Sequence, residues 1–260
     1  QVKHKAGYIQ PYGDNRAMQV WKKPIAILVN RYSASASEIV AGAIQDYKRG
    51  IVIGQRTFGK GTVQSLESIS KGQIKITESK YYRVDGSSTQ NKGVIPDIEL
   101  LSTWDIESVG ESSYPSAMEW DTVRPYRHKK FKFDDNQIEK INNLYSQRLN
   151  EDPNLKYLAK VRERYDLNKD KKLLSLNIDT RKLEKEARRA WLLEIENDRR
   201  KVLGLTTFET YEILEENNKN ENKDNDEKID LNKDFLLIES TNIVNDYINM
   251  NKKILLSERN

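Results

Sequence analysis

The sequence predicts an α/β layer over its first hundred residues and a mostly α-helical remainder. Three observations point there. Residues 24–30 (Pro-Ile-Ala-Ile-Leu-Val-Asn) form a short, nearly continuous apolar run rich in β-branched side chains, the pattern of a strand buried on both faces. A strand–helix–strand unit then fits into about thirty residues, the length of a parallel crossover connection. From Asp134 onward the apolar residues recur at helical spacing instead.

In chain order, the run at 24–30 is followed by a helix in which Ile39, Val40, Ala43, Ile44 and Tyr47 share one side. Ser37 is its expected cap, and Glu38 in the first turn faces the positive end of the helix dipole. Gly50 ends the helix, and Ile51-Val52-Ile53-Gly54 reads as a second buried strand. The period then becomes two: residues 63–68, 73–77 and 80–84 alternate as strands of an edge hairpin, with turns at Gly72 and at Asp85-Gly86. Val94-Ile95-Pro96-Asp97-Ile98 closes the layer, Pro96 marking an edge or a strand end. Residues 101–125 are irregular. Ile138, Ile141, Leu144, Tyr145 and Leu149 then make a helical stripe, and Asp152-Pro153 stops one helix and starts the next. Thr180 is the expected cap of a long charged helix that Gly204 ends. Residues 217–233 are almost devoid of apolar side chains and read as linker; 235–256 return to a helical pattern.

Composition narrows the function. The 260 residues are 37% hydrophobic and 32% charged. The net charge of +4 comes from 44 basic and 40 acidic residues interleaved along the chain, which argues against nucleic acid as a partner. The absence of cysteine excludes a thiol nucleophile, a disulfide and thiolate metal sites. No apolar run approaches the roughly 20 residues that a membrane span needs. The chain opens Gln1-Val2-Lys3-His4 with neither an initiator methionine nor a signal segment, as expected if processing removed its start or if it is the C-terminal part of a longer polypeptide.

With two histidines and no cysteine, the chemistry most available is a hydroxyl activated by lysine. Ser33-Ala34-Ser35-Ala36-Ser37-Glu38 sits where a strand turns into a helix, beside free N–H groups able to stabilise an oxyanion. Phe58-Gly59-Lys60-Gly61-Thr62-Val63-Gln64 offers one lysine in a glycine-flanked turn. Serine needs a base, and lysine serves as one when burial disfavours its ammonium form; Phe58 and Val63 are the expected apolar walls. A phosphate loop starting at Gly54 fails, because Gly61 occupies the position that requires Ser or Thr.

Residues 30–46, 58–64 and 82–98 (the last ending Asn-Lys-Gly-Val-Ile-Pro-Asp-Ile) resemble the C-terminal processing serine peptidases, in particular the periplasmic tail-specific type of Gram-negative bacteria. The resemblance is strong over 15–100 and extends to 114–123. It implies a ClpP/crotonase-like protease core, present here as its C-terminal half, followed by a mostly α-helical C-terminal region. The corresponding parts are 1–105 (core), 106–210 (helical domain), 211–233 (linker) and 234–260 (C-terminal helix). It further implies Ser35 as nucleophile and Lys60 as general base, 25 residues apart as in the family. Gln64 would orient the lysine, Asp46 matches an acidic position of the tail-specific type, and the Ala36 N–H would serve the oxyanion; Ser33 and Ser37 become turn and cap residues. The implied activity is endopeptidic cleavage of proteins selected by nonpolar C-terminal tails, through an acyl-enzyme and with no cofactor or metal. The implied partners are such substrates and an adaptor lipoprotein, in the periplasm and at most peripheral to the inner membrane. The PDZ domain and the first half of the core have no counterpart here, so residues 1–260 alone are expected neither to fold fully nor to cleave. The alternatives are a non-catalytic interaction fragment, its charged helices from Asp134 onward docking a partner, and a crotonase-type acyl-CoA enzyme.

Overall fold

The computed structural model describes residues 1–13, 18–102, 108–131, 135–224, 231 and 234–257. The chain folds as two compact units, one of 1–142 with 243–260 and the other of 143–242.

The first unit holds two sheets. A three-stranded parallel sheet has the order β3-β4-β7, with β3 at Ala26–Val29, β4 at Ile51–Gly54 and β7 at Ile98–Glu99. Helix α1, Ala36–Asp46, is the crossover between β3 and β4, which pair from Ala26↔Ile51 to Val29↔Gly54. This is the strand–helix–strand unit expected from the sequence. The central β4 is buried at all four positions, whereas Leu28 of β3 is 51% exposed. The expected burial of β3 on both faces does not occur, because β3 is an edge strand. Val29, Ala41, Val52 and Val94 form the core beneath α1. The strand expected over 94–98 is confined to β7, following Pro96.

The second sheet is antiparallel, in the order β2-β1-β6-β5. Its long hairpin joins β5, Thr62–Ile69, to β6, Gly72–Tyr81. The two segments expected as separate strands over 73–77 and 80–84 are thus one strand ending at Tyr81. Two short N-terminal strands, β1 (Val2–His4) and β2 (Ile9–Gln10), extend the sheet, and β5 is left as a free edge. The irregular segment after the layer lies on this unit: Val123 N–H bonds Gly86 C=O, Tyr126 N–H bonds Val84 C=O, and Phe131 N–H bonds Tyr47 C=O. The division between the two compact units falls at 142/143.

The remaining helices are α2 (Asp135–Glu151), α3 (Pro153–Asn168), α4 (Ile178–Val202), α5 (Tyr211–Asp224) and α6 (Phe235–Ser257). Asp152 caps α3 by accepting from the N–H groups of Asn154 and Leu155, with Pro153 at the first helical position. Helix α4 starts three residues earlier than expected, because Asn177 rather than Thr180 supplies the capping oxygen. Gly204 follows its end with a positive φ of 68°. The expected linker over 211–233 is helical over Tyr211–Asp224; Leu214, buried among polar neighbours, gives α5 an apolar anchor. Residues 225–230 and 232–233 of that linker lie outside the described residues. Within the second unit, Leu155, Ile195 and Leu214 are buried, and the buried Glu239 pairs with Arg148 at 2.8 Å.

Replacing Asp152 by Ala removes both cap hydrogen bonds and is expected to cost about 1 kcal/mol, read as a lowered midpoint in urea denaturation followed by circular dichroism.

Candidate active site

Two turns meet in the first unit. One carries Ser35, between β3 and α1; the other carries Lys60, between β4 and β5. The joining group is the fully buried carboxylate of Glu38. Its Oε2 accepts the N–H groups of Ser35 at 2.8 Å and Lys60 at 2.9 Å. Its Oε1 accepts Thr57 Oγ1 at 2.5 Å and the Gly59 N–H at 2.7 Å. Burial raises the Glu38 pKa above its usual 4.5, and the hydrogen bonds from Thr57, Gly59, Ser35 and Lys60 oppose that rise. A carboxyl with a raised folded-state pKa favours folding below its unfolded pKa, and this contribution is lost as pH rises through the folded value.

A second bridge comes from β6. The Tyr81 hydroxyl accepts from Thr89 Oγ1 at 2.8 Å and lies 3.1 Å from Ser35 C=O and 2.8 Å from Lys60 C=O, sharing its proton between them. Burial, then the nearby Glu38 charge, pushes this phenol up, so it remains a donor at neutral pH. Behind the turns, the buried Arg31 guanidinium donates to the carbonyls of Thr57 and Val109, and the Phe58 N–H reaches Ser33 C=O at 2.9 Å.

Local sequence explains the turn shapes. Ser35 has φ 56° and ψ −113°, an unusual conformation for a residue with a side chain, and it is the N-cap of α1. Ser-x-x-Glu at 35–38 is the spacing of a capping box, in which the glutamate reaches back to the cap N–H. The cap is therefore Ser35, and Ser37, expected in that role, is an exposed residue of the first turn. Ser33 is a turn residue whose Oγ accepts from Asn30 N–H at 3.1 Å. Gly59 has φ +92°, and a Cβ there would lie 2.9 Å from the Asn91 carbonyl carbon; one on Gly61 would lie 2.8 Å from the Gln90 nitrogen. Both glycines let the lysine turn pack against the 88–91 segment.

The Ser35 and Lys60 side chains are both half-buried. Lys60 Nζ donates to Gln64 Oε1 at 3.4 Å, and among the described residues no hydrogen bond joins it to Ser35 Oγ. Lys60 is less enclosed than expected, since Val63 on the free edge strand is 41% exposed. The Ala36 N–H, at the exposed start of α1, has no acceptor among the described residues. Asp46 does not join the site. It lies at the far end of an 11-residue helix, about 16 Å along its axis. There Arg83 grips it with two hydrogen bonds of 2.5 and 3.1 Å, and Gly42 leaves room for the arginine, whose Nε a Cβ would approach to 3.2 Å. The sequence reading missed Glu38, Tyr81 and Thr57 as site-building residues; only the Ser-x-x-Glu spacing signalled one of them.

Glu38→Gln replaces one carboxylate oxygen by an NH2 group and leaves two buried donors facing it. The expected cost is at least about 2 kcal/mol, measured by urea denaturation at pH 7. Asp46→Ala leaves the largely enclosed Arg83 guanidinium without its carboxylate, with the Gln45 side-chain oxygen still accepting from it, and about 3 kcal/mol is expected in the same assay.

Residues 1–100 match peptidase family S41, and residues 104–249 match the C-terminal domain of tail-specific protease. A tail-specific protease of Haemophilus influenzae is 34% identical over the whole chain, which spans 37% of that relative's length. A carboxy-terminal-processing protease of Bartonella bacilliformis is 49% identical over 78 residues, 30% of this chain and 18% of the relative. Among solved structures, a photosystem II D1 C-terminal processing protease is 45% identical over 30% of this chain and 20% of its own, with a TM-score of 0.28. The chain belongs to the tail-specific protease family, carrying peptidase family S41 sequence followed by that family's C-terminal domain.

Proposed function

We propose that this chain supplies the nucleophile and base of a serine endopeptidase that cleaves proteins selected by nonpolar C-terminal tails. The observation that carries the reading is the Glu38 carboxylate, which holds the serine turn and the lysine turn on one oxygen atom.

In this reading Ser35 Oγ attacks the scissile carbonyl while neutral Lys60 Nζ takes its proton. The oxyanion forms beside the Ala36 N–H at the positive end of α1. Lys60 returns the proton to the leaving amine, and water then repeats the cycle on the acyl-enzyme. Gln64 holds the amine beside the site through its Oε1. No step requires a metal or an organic cofactor. Asp46, paired to Arg83, acts on the fold of α1 and takes no part in the chemistry. The periplasm is the proposed compartment and an adaptor lipoprotein a proposed partner, both by likeness to the tail-specific type. Among the described residues no helix is long and apolar enough to cross a membrane.

In the whole protein, Ser35→Ala and Lys60→Ala are each expected to lower the hydrolysis of an unstructured substrate with an apolar tail by ~10²–10⁴-fold or more, with tail binding unchanged. Turnover retained in either variant would refute the pairing. Gln64→Ala is expected to fall between these and wild type, with a changed pH profile.

A further inference from the structure

The second unit carries a feature that the peptidase reading does not use. Between the C-terminal half of α3 and the N-terminal half of α4 lies an open groove of about 990 Å³. The two helices run as an antiparallel pair joined by 169–177. They pack closely at the other end, where Arg199 Nη1 donates to Asn154 Oδ1 at 2.8 Å. Toward the connection the seam opens, and Leu174, Ile178 and Trp191 line it. Leu174 is 69% and Ile178 63% exposed. Leucines and isoleucines left in water along one groove mark a surface that another molecule covers.

The charge around the groove identifies that molecule. Six cations line it, Arg164, Lys171, Arg181, Lys182, Lys185 and Arg188, against the single carboxylate of Glu184. The groove alone thus carries more positive charge than the +4 of the whole chain. Glu184 is already held by Arg181 at 2.7 Å and Lys171 at 3.6 Å, and the Arg164 guanidinium lies 4.3 Å over the Trp191 ring. Lys182, Lys185 and Arg188 are exposed and have no carboxylate partner among the described residues. An apolar floor with an unbalanced cationic rim is complementary to a rod with one apolar face and acidic flanks.

We propose that the α3–α4 groove docks an acidic amphipathic helix of a partner protein, its apolar face against Ile178 and Trp191 and its carboxylates on Lys182, Lys185 and Arg188. The concave floor favours a helix over a flat lipid surface. The proposal is independent of the Ser35–Lys60 chemistry.

The test uses the whole protein and a fluorescein-labelled 18-residue peptide with Leu on one helical face and Glu on the others, followed by anisotropy. Binding is expected at low salt with a dissociation constant on the order of 10 μM, weakening as salt screens the rim. Lys185→Glu with Arg188→Glu, a surface pair, is expected to weaken it at least tenfold, and Leu174→Ser severalfold; Lys75→Glu on the β5–β6 hairpin of the first unit serves as the control and is expected to change nothing. Circular dichroism checks that the variants fold. Equal binding by the Lys185/Arg188 variant, equal binding of a scrambled peptide, or no binding at all would overturn the proposal. So would groove-dependent binding of phosphatidylglycerol vesicles or of a single-stranded oligonucleotide in preference to the peptide.

Discussion

One buried carboxylate organises the first unit. Glu38 has no exposure to water, and an isolated carboxylate in such a place costs several kcal/mol. Four donors offset that cost, and they come from both turns that matter: Ser35 from one, Thr57, Gly59 and Lys60 from the other. The arrangement works in both directions. Without the carboxylate the four donors lose their acceptor, and without the turns the carboxylate loses its solvation. The positive φ of Ser35 persists because Glu38 and Tyr81 hold both sides of its backbone. The two turns that carry the serine hydroxyl and the lysine amine are consequently set by backbone geometry.

Legibility from the sequence followed the physics of each element. The β3–α1–β4 unit was readable because a buried central strand must be apolar throughout and a crossover helix must be amphipathic. The glycines around Lys60 were readable as permission for close packing, and the Asn91 and Gln90 backbones fill that space. Glu38 was visible only as a first-turn acid, although Ser35 three residues before it spelled a capping box. Its other three partners, Thr57, Gly59 and Lys60, lie about twenty residues away, and no local pattern encodes that reach. Tyr81 was hidden for the same reason, as its contacts cross from one sheet to the turns beside the other. Asp46 looked like a site residue by position in the chain. The helix rise carries it to the opposite end of α1, where Arg83 takes it.

The helical part shows how charge misleads a reading by composition. Residues 217–224 look too polar to order, yet they continue a helix whose anchor, Leu214, lies upstream. In α4, capped by Asn177, the charged residues fall into i,i+3 and i,i+4 pairs such as Arg199–Glu196 and Arg200–Glu196. These support the helix by tenths of a kcal/mol each. The cations of its N-terminal half follow a different pattern, because Lys182, Lys185 and Arg188 have no carboxylate partner among the described residues. That asymmetry along a single helix is what the proposed docking groove rests on.

The central claim is that one carboxylate couples the two turns, and amide hydrogen exchange at Ser35, Gly59 and Lys60 measures it most directly. Slow exchange at all three is expected in the native protein, and Glu38→Gln is expected to accelerate all three jointly and by more than the β4 amides. Independent exchange at the three sites, or protection retained in Glu38→Gln, would contradict it.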